Sequence, residues 1–258
     1  MLMCTVRDCR LPLVRGERQL TCARGHSFDV AKSGYVNLLQ PQERRSKNPG
    51  DSAVAVAGRR RVYDLGIAEP LLAGVADLAG ATASDVVLDA GCGDGYYLAE
   101  LARKSGVSAA HGLDISIPAI EAAAKRYPEF DWIVGNADRL IPWEDGTFSL
   151  ILSITARMNS DEFRRVLRDG GRLLVALPAP DDLIELRGAG REDRVARTVE
   201  TFAKEFTLVE QRRASTVGEL DGPAVEGLLA SVYRPLGAVA VATRVTFSLD
   251  LLLFHAKG

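Results

Sequence analysis

The stretch that most limits what this chain can fold into is VLDAGCGDGYY, residues 87–97. It is an apolar run, then three glycines at alternate positions, then two tyrosines that open a helical pattern. Gly91, Gly93 and Gly95 let the backbone turn sharply and approach a ligand closely just before a helix begins. A strand that hands over to a helix in this way is the first half of a β-α-β unit, so the sheet it belongs to is parallel and covered by helices. The rest of the chain keeps that rhythm. Apolar β-rich runs at about 86–90, 109–114, 130–134, 148–154 and 171–177 alternate with helical patterns, and two later strands are expected near 206–215 and 243–254. The expectation is a doubly wound α/β fold of seven strands.

The glycine loop also restricts the ligand. A dinucleotide fingerprint needs glycine at position 96, which is Tyr96, and a phosphate-cradling P-loop needs Gly-Lys-Ser/Thr, which is absent. What remains is D-x-G-x-G-x-G, starting at Asp89 with Asp94 between its last two glycines, which is similar to the donor loop of S-adenosylmethionine-dependent methyltransferases. The second strand ends in Asp114 and Ile115, about twenty residues on, where a carboxylate suits the two hydroxyls of a ribose. A third strand end, VGNAD (134–138), places Asn136 and Ala137 along the adenine. The cofactor expected is S-adenosylmethionine.

Three of the four cysteines and one of the three histidines fall within residues 4–26. Cys4, Cys9, Cys22 and His26 are spaced Cys-x4-Cys-x12-Cys-x3-His, two close pairs on two turns, which is how a protein surrounds a tetrahedral zinc ion. Three thiols and an imidazole leave no open coordination position, so the zinc would be structural. A segment of some 40 residues buries too little surface to fold well alone, and metal binding supplies free energy that it lacks. Charge is distributed unevenly: residues 1–61 hold 12 Lys/Arg against 5 Asp/Glu, a net +7, while the remainder carries −9. The basic end faces something anionic on this reading, with ERRSK (43–47) and RRR (59–61) as its densest clusters. There is no apolar run of membrane-spanning length and no basic-then-apolar leader, so a cytoplasmic location is expected.

Ser52 can cap a helix after the polar, Pro/Gly-broken stretch 40–52, and Leu71, Leu72, Val75 and Leu78 recur at helical spacing as a core-facing stripe. Three parts follow: a zinc-binding module at 1–40, a basic linker at 41–51, and a methyltransferase domain at 52–258. Carbon-5 methylation of a pyrimidine needs a thiol nucleophile, and no cysteine is free for it. The turn after the fourth strand, SITARMN (153–159), lacks the Pro-Pro-aromatic pattern of many amino-group methyltransferases. Transfer to a ring nitrogen, an oxygen or a small molecule remains.

Beyond these motifs, GHSFDVAKSGYVNLLQ (25–40), RRSKNPGDS (44–52), GRRRVYD (58–64), AAAKRYP (122–128) and LPAPDDLIELR (177–187) run through most of the chain. Together with the cysteine cluster and the glycine loop, they make the chain resemble the bacterial large-subunit (23S) ribosomal RNA guanine-N1 methyltransferases. The resemblance implies a class I (Rossmann-like) methyltransferase with a mixed seven-stranded sheet plus a small N-terminal zinc-ribbon-like module. It implies methyl transfer to N1 of a hairpin-loop guanine, with an rRNA hairpin as partner and no membrane partner; a homodimer is left open, as is a role in antibiotic resistance. Asp182 follows the fifth strand where some members have histidine, and joins the expected donor-binding residues. Other departures are Arg157 where the family has proline, Ala68 where it has an aromatic, and SVYRPL (231–236) near the C-terminus. A different nucleotide, a small-molecule acceptor and an RNA-binding relative without turnover all stay open at this point. No general base is identified: Asp138, Asp161 and Asp182 lie on loops at strand ends, where helix capping also explains them. Tyr96, Tyr97 and Trp143 are candidates to stack on a base.

Overall fold

The run FSLILSI at 148–154 is buried at every one of its positions, which only the middle of a two-sided sheet provides. The computed structural model describes residues 1–43, 49–231 and 244–257, and builds the fold around that strand. In chain order the N-terminal segment holds β1 (Val14–Arg15), β2 (Gln19–Thr21), β3 (Ser27–Asp29) and β4 (Val36–Asn37). Then come α1 (Ala53–Asp64), α2 (Glu69–Ala79), β5 (Val86–Ala90), α3 (Tyr96–Ser105), β6 (Ala109–Asp114), α4 (Ile117–Arg126) and β7 (Asp131–Val134). The chain continues through β8 (Phe148–Ile154), α5 (Ser160–Val166), β9 (Leu167–Pro178), α6 (Ile184–Arg187) and α7 (Val195–Phe202). It ends with β10 (Phe206–Glu219), α8 (Gly222–Ser231) and β11 (Arg244–Ala256).

The main sheet has the order β10-β11-β9-β8-β5-β6-β7-β4. The strands from β9 to β4 run parallel, and β11 is antiparallel to both β9 and β10, so the sheet is mixed. All seven strands expected from the sequence are present, and an eighth joins them. That strand, β4, comes from the N-terminal segment and lies along the open edge of β7, with Val36 opposite Ile133 and Asn37 opposite Val134. Two residues carry no periodicity of their own, so the pattern did not announce it.

The N-terminal segment is therefore woven into the sheet. Its small antiparallel sheet, β1-β2-β3, packs Leu13, Leu20 and Phe28 into one hydrophobic cluster with Leu88, Leu113 and Ile133 of the main sheet. Leu2 bridges to Trp143, the Leu38 N–H donates to the Val134 carbonyl at 2.9 Å, and the terminal amine meets Glu144 at 3.2 Å. Trp143 is only 3% exposed, edge-on to His111 and Phe148. It packs the seam and has no face free for a base.

Ser52 caps α1, its side chain accepting from the Ala55 N–H, and the stripe Leu71, Leu72, Val75 and Leu78 is buried as expected. Between them the helical run breaks at Leu65–Ala68, giving two helices. Helix α1 crosses α8 at two glycines: a Cβ on Gly58 would lie 2.1 Å from the Cα of Gly227. Arg61 reaches across the same crossing to Asp221 at 2.5 Å. No helix among the described residues is long and apolar enough to cross a membrane. The segment 44–48 of the basic linker and residues 232–236 of SVYRPL lie outside the described residues.

Candidate functional site

The four N-terminal ligand candidates meet. The sulfurs of Cys4, Cys9 and Cys22 and a ring nitrogen of His26 all lie within 4.8 Å of one another. Cys9 and Cys22 sulfurs are 3.8 Å apart, and His26 Nδ1 is 3.4 Å from the Cys4 sulfur and 3.5 Å from that of Cys22. A zinc ion bonded to sulfur at about 2.3 Å has tetrahedral edges of about 3.8 Å, so the donor set fits that ion. Tight turns create the arrangement. Cys9 donates its N–H to Val6, flanked by Asp8 and Arg10, both non-glycine residues with positive φ. Burial opposes ionisation of the Cys22 thiol, but the backbone N–H groups of Arg24 and His26 aim at its sulfur and bring it down to about 7. At Cys22 that favours the thiolate form that a metal binds, whereas burial pushes the neighbouring Cys4 thiol up to about 12.

The second constellation lies at the carboxyl ends of the parallel strands. Asp89 lies buried one residue before the end of β5, and the glycine loop follows, closed by Gly91 N–H to Leu113 carbonyl at 2.7 Å. Asp114 at the end of β6 accepts from the Gly93 N–H at 2.9 Å and, through its other oxygen, from the Ser116 N–H at 2.8 Å. Each oxygen keeps a lone pair for a hydroxyl donor. Asp89 has a buried oxygen with no hydrogen-bond partner, and burial, with the Asp114 charge beside it, pushes its carboxyl up to about 8. Burial also raises Asp94 and Asp114. Asp89, with its unpartnered oxygen, and Asp114 flank the glycine loop, a setting that suits a cationic, ribose-bearing ligand, while Asp94 already has Arg60 at 3.4 Å. S-adenosylmethionine, with a sulfonium and an ammonium, has that chemistry.

The remaining expected residues follow the carboxyl ends of β6, β7 and β9. Ile115 packs beside the β6 end, and Asn136 Oδ1 accepts from the Asp138 N–H at the β7 end, with Ala137 between them. Asp182, after β9, is buried; it accepts from the Ser248 N–H at 3.2 Å and pairs with Arg191 at 3.3 Å. The Tyr97 hydroxyl is pushed well up by burial first and then by its tyrosine neighbours, Asp182 and Asp89. Asp161, by contrast, sits exposed in the first turn of α5.

Sequence reasoning missed a group carried by α1. Ser116 donates to the Asp51 carbonyl at 2.7 Å, strapping the segment before α1 across the β6 end, and Arg59 pairs with Asp51. Arg60 reaches Asp94 at 3.4 Å and the Tyr127 hydroxyl at 3.1 Å, and lies over the stacked rings of Tyr63 and Tyr96, whose centroids are 4.1 Å apart. The arginines of RRR (59–61), read in the sequence as facing an anionic partner, are thus spent on Asp51, Asp94, Asp64 and Asp221. Tyr96 is likewise held in the ring stack.

Known proteins show the same two parts. A family described as "Methyltransferase domain" matches residues 87–175, and a zinc-ribbon family described as "RlmA, N-terminal" matches residues 3–47. A 23S rRNA (guanine(748)-N(1))-methyltransferase of Streptomyces fradiae is 38% identical over 231 residues, covering 86% of this chain and 81% of its own. The Bacillus subtilis (strain 168) protein YxjB, provisionally named a 23S rRNA (guanine-N(1)-)-methyltransferase, is 31% identical over 261 residues, covering 95% and 90%. Among solved structures, a SAM-dependent methyltransferase from Thiobacillus denitrificans in complex with S-adenosyl-L-homocysteine matches at TM-score 0.50 and 16% identity, over 79% of this chain and 97% of that one. The [4+2]-cyclase SpnF matches at 0.53 and 16%, over 81% and 98%. The last two share the fold, and one fold carries different chemistries.

Proposed function

Because the chain belongs to the 23S rRNA (guanine-N1)-methyltransferase family, we propose that it transfers the methyl group of S-adenosylmethionine to N1 of a guanine in a hairpin loop of 23S rRNA. The observation that carries this reading is the pairing, in one chain, of a Cys3His knuckle with a carboxylate-walled glycine crevice. Residues 1–40 act as the zinc-binding RNA-recognition module, 41–51 as the basic linker and 52–258 as the methyltransferase domain, the first lending β4 to the sheet of the third. In the module Arg7, Arg10, Arg15, Arg18, Arg24 and Lys32 are all exposed, which suits contacts to phosphate. A protein that works on rRNA fits the cytoplasm.

S-adenosylmethionine supplies an electrophilic methyl on a good leaving group. The chain's own residues hold and orient: Asp114 takes ribose hydroxyls, Asn136 and Ala137 line the adenine, and Asp89, Asp94 and Asp182 face positive charge. Cys4, Cys9, Cys22 and His26 hold the structural zinc. Guanine N1 lies on the Watson–Crick edge, so the target must be unpaired, and a loop guanine meets that requirement at least cost, on the order of a few kcal/mol less than a paired one.

The test uses zinc-replete protein, radiolabelled donor and 23S rRNA from an unmodified strain, both naked and in assembled subunits. Label should enter the RNA, and reverse transcription should stop at one new hairpin guanine, because a methyl on N1 blocks pairing. Protein that binds the donor yet labels neither RNA form refutes the proposal.

A further inference from the structure

The turn after β8 packs against the glycine loop. Thr155 has φ of 52°, a left-handed conformation unusual for a β-branched residue. Ala156 then lies directly on the donor loop: a Cβ on Gly91, itself at φ 92°, would be 2.3 Å from the Ala156 Cβ. The next residue, Arg157, has a side chain 77% exposed, with Nη1 at 3.4 Å from Asp138 Oδ2. Asp138 is pinned at both backbone ends, its N–H to Asn136 at 3.0 Å and its carbonyl by Asn159 at 2.8 Å. The guanidinium is thus a solvent-facing cation beside a carboxylate on a held backbone, one residue from the contact with the donor loop.

We infer that Arg157 selects the acceptor by donating to O6 of the target guanine, and that Asp138 is its positioning residue. This rests on the function proposed above. The electron pair with which N1 takes a methyl lies in the ring plane, along the direction occupied by the N1–H bond. The proton must therefore leave before the methyl arrives, and a base seated at N1 would block the methyl's path. N1 gives its proton to water and keeps the pair, and the resulting charge spreads onto O6. N1 then bonds to the methyl carbon, and the C–S pair returns to sulfur, leaving S-adenosylhomocysteine. A cation at O6 favours the deprotonated ring without occupying the methyl's path to N1.

Two readouts test it. Target-site methylation by wild type, Arg157→Ala and Arg157→Lys is followed against pH. Arg157→Ala should lose about 10²-fold in kcat at neutral pH, with its rate profile moved to higher pH, and Arg157→Lys should recover part of both. Separately, binding to the hairpin is measured with S-adenosylhomocysteine present, carrying either guanine or 2-aminopurine, which has no O6, at the target. Wild type should prefer guanine and Arg157→Ala should not. Equal preference in both proteins, or a loss of affinity that is the same for both hairpins and follows salt alone, overturns the inference while the function stands. A wild-type protein that modifies no guanine overturns the function and the inference together.

Discussion

Asp89 sits where an ionised carboxylate is least welcome, with one oxygen buried and unpartnered. Its folded pKa of about 8 lies above the ordinary 3.8. Between those values the folded state holds a proton that the unfolded chain has lost, so the stability Asp89 contributes below about pH 4 disappears as pH rises toward 8. Asp85 acts in the opposite sense. Despite burial, Ser149, the Thr82 N–H and Arg172 hold its carboxyl far below the usual range, so its contribution is lost only in strong acid. Asp89→Asn should therefore flatten the decline in the urea midpoint between pH 5 and pH 8, where each unit of pH is worth at most about 1.4 kcal/mol per group. An unchanged slope would show that Asp89 ionises normally. At this scale the sequence was informative where chemistry dictates spacing. Cys4, Cys9, Cys22 and His26, and Asp89 through Asp114, follow local rules of turn and strand end, and the structure brings them together. Arg59, Arg60 and Tyr63 follow no local rule: they reach the crevice from a helix that precedes it, and a single sequence does not record that proximity. Arg60 looks the same on paper whether it faces RNA or Asp94.

Helix α1 does two jobs, carrying those side chains and packing against α8 through Gly58 and Gly227. The close approach leaves no room for a Cβ against backbone, so Gly58→Val must push the helices apart. Overpacking of this kind costs about 1–3 kcal/mol. The prediction is a lower unfolding midpoint together with weaker binding of S-adenosylhomocysteine, read by calorimetric titration on the folded fraction. A stability loss with unchanged donor affinity would show that α1 does not position the crevice. The elements themselves were largely legible, because β8 and its neighbours announce two-sided burial through continuous apolar runs. What escaped was pairing over distance. Strand β4 has two residues, and nothing in Val36–Asn37 distinguishes a sheet edge from a loop until β7 is placed beside it.

For the whole molecule, the zinc knuckle and the sheet share one apolar cluster, in which Cys4, Cys9 and Cys22 pack with Leu88, Leu113 and Ile133. Loss of the metal should accordingly be felt throughout. A strong chelator should lower the melting temperature of the entire chain in a single transition, and Cys22→Ser should do the same without chelator. An early separate transition, followed by unaltered melting of the rest, would mean that the knuckle folds as an independent body.

The β4–β7 seam also bears on ancestry. Modules that hang from linkers can be traded between genes, because each half remains closed after the cut. Here a break ahead of residue 52 would strip the β7 edge of its backbone partners and bare the apolar surface beneath the knuckle, leaving an open strand able to pair with any other chain. Recombination at that point yields a product prone to aggregate. The knuckle and the sheet are consequently expected to have descended as one heritable unit, gaining and losing substitutions in step along their common border.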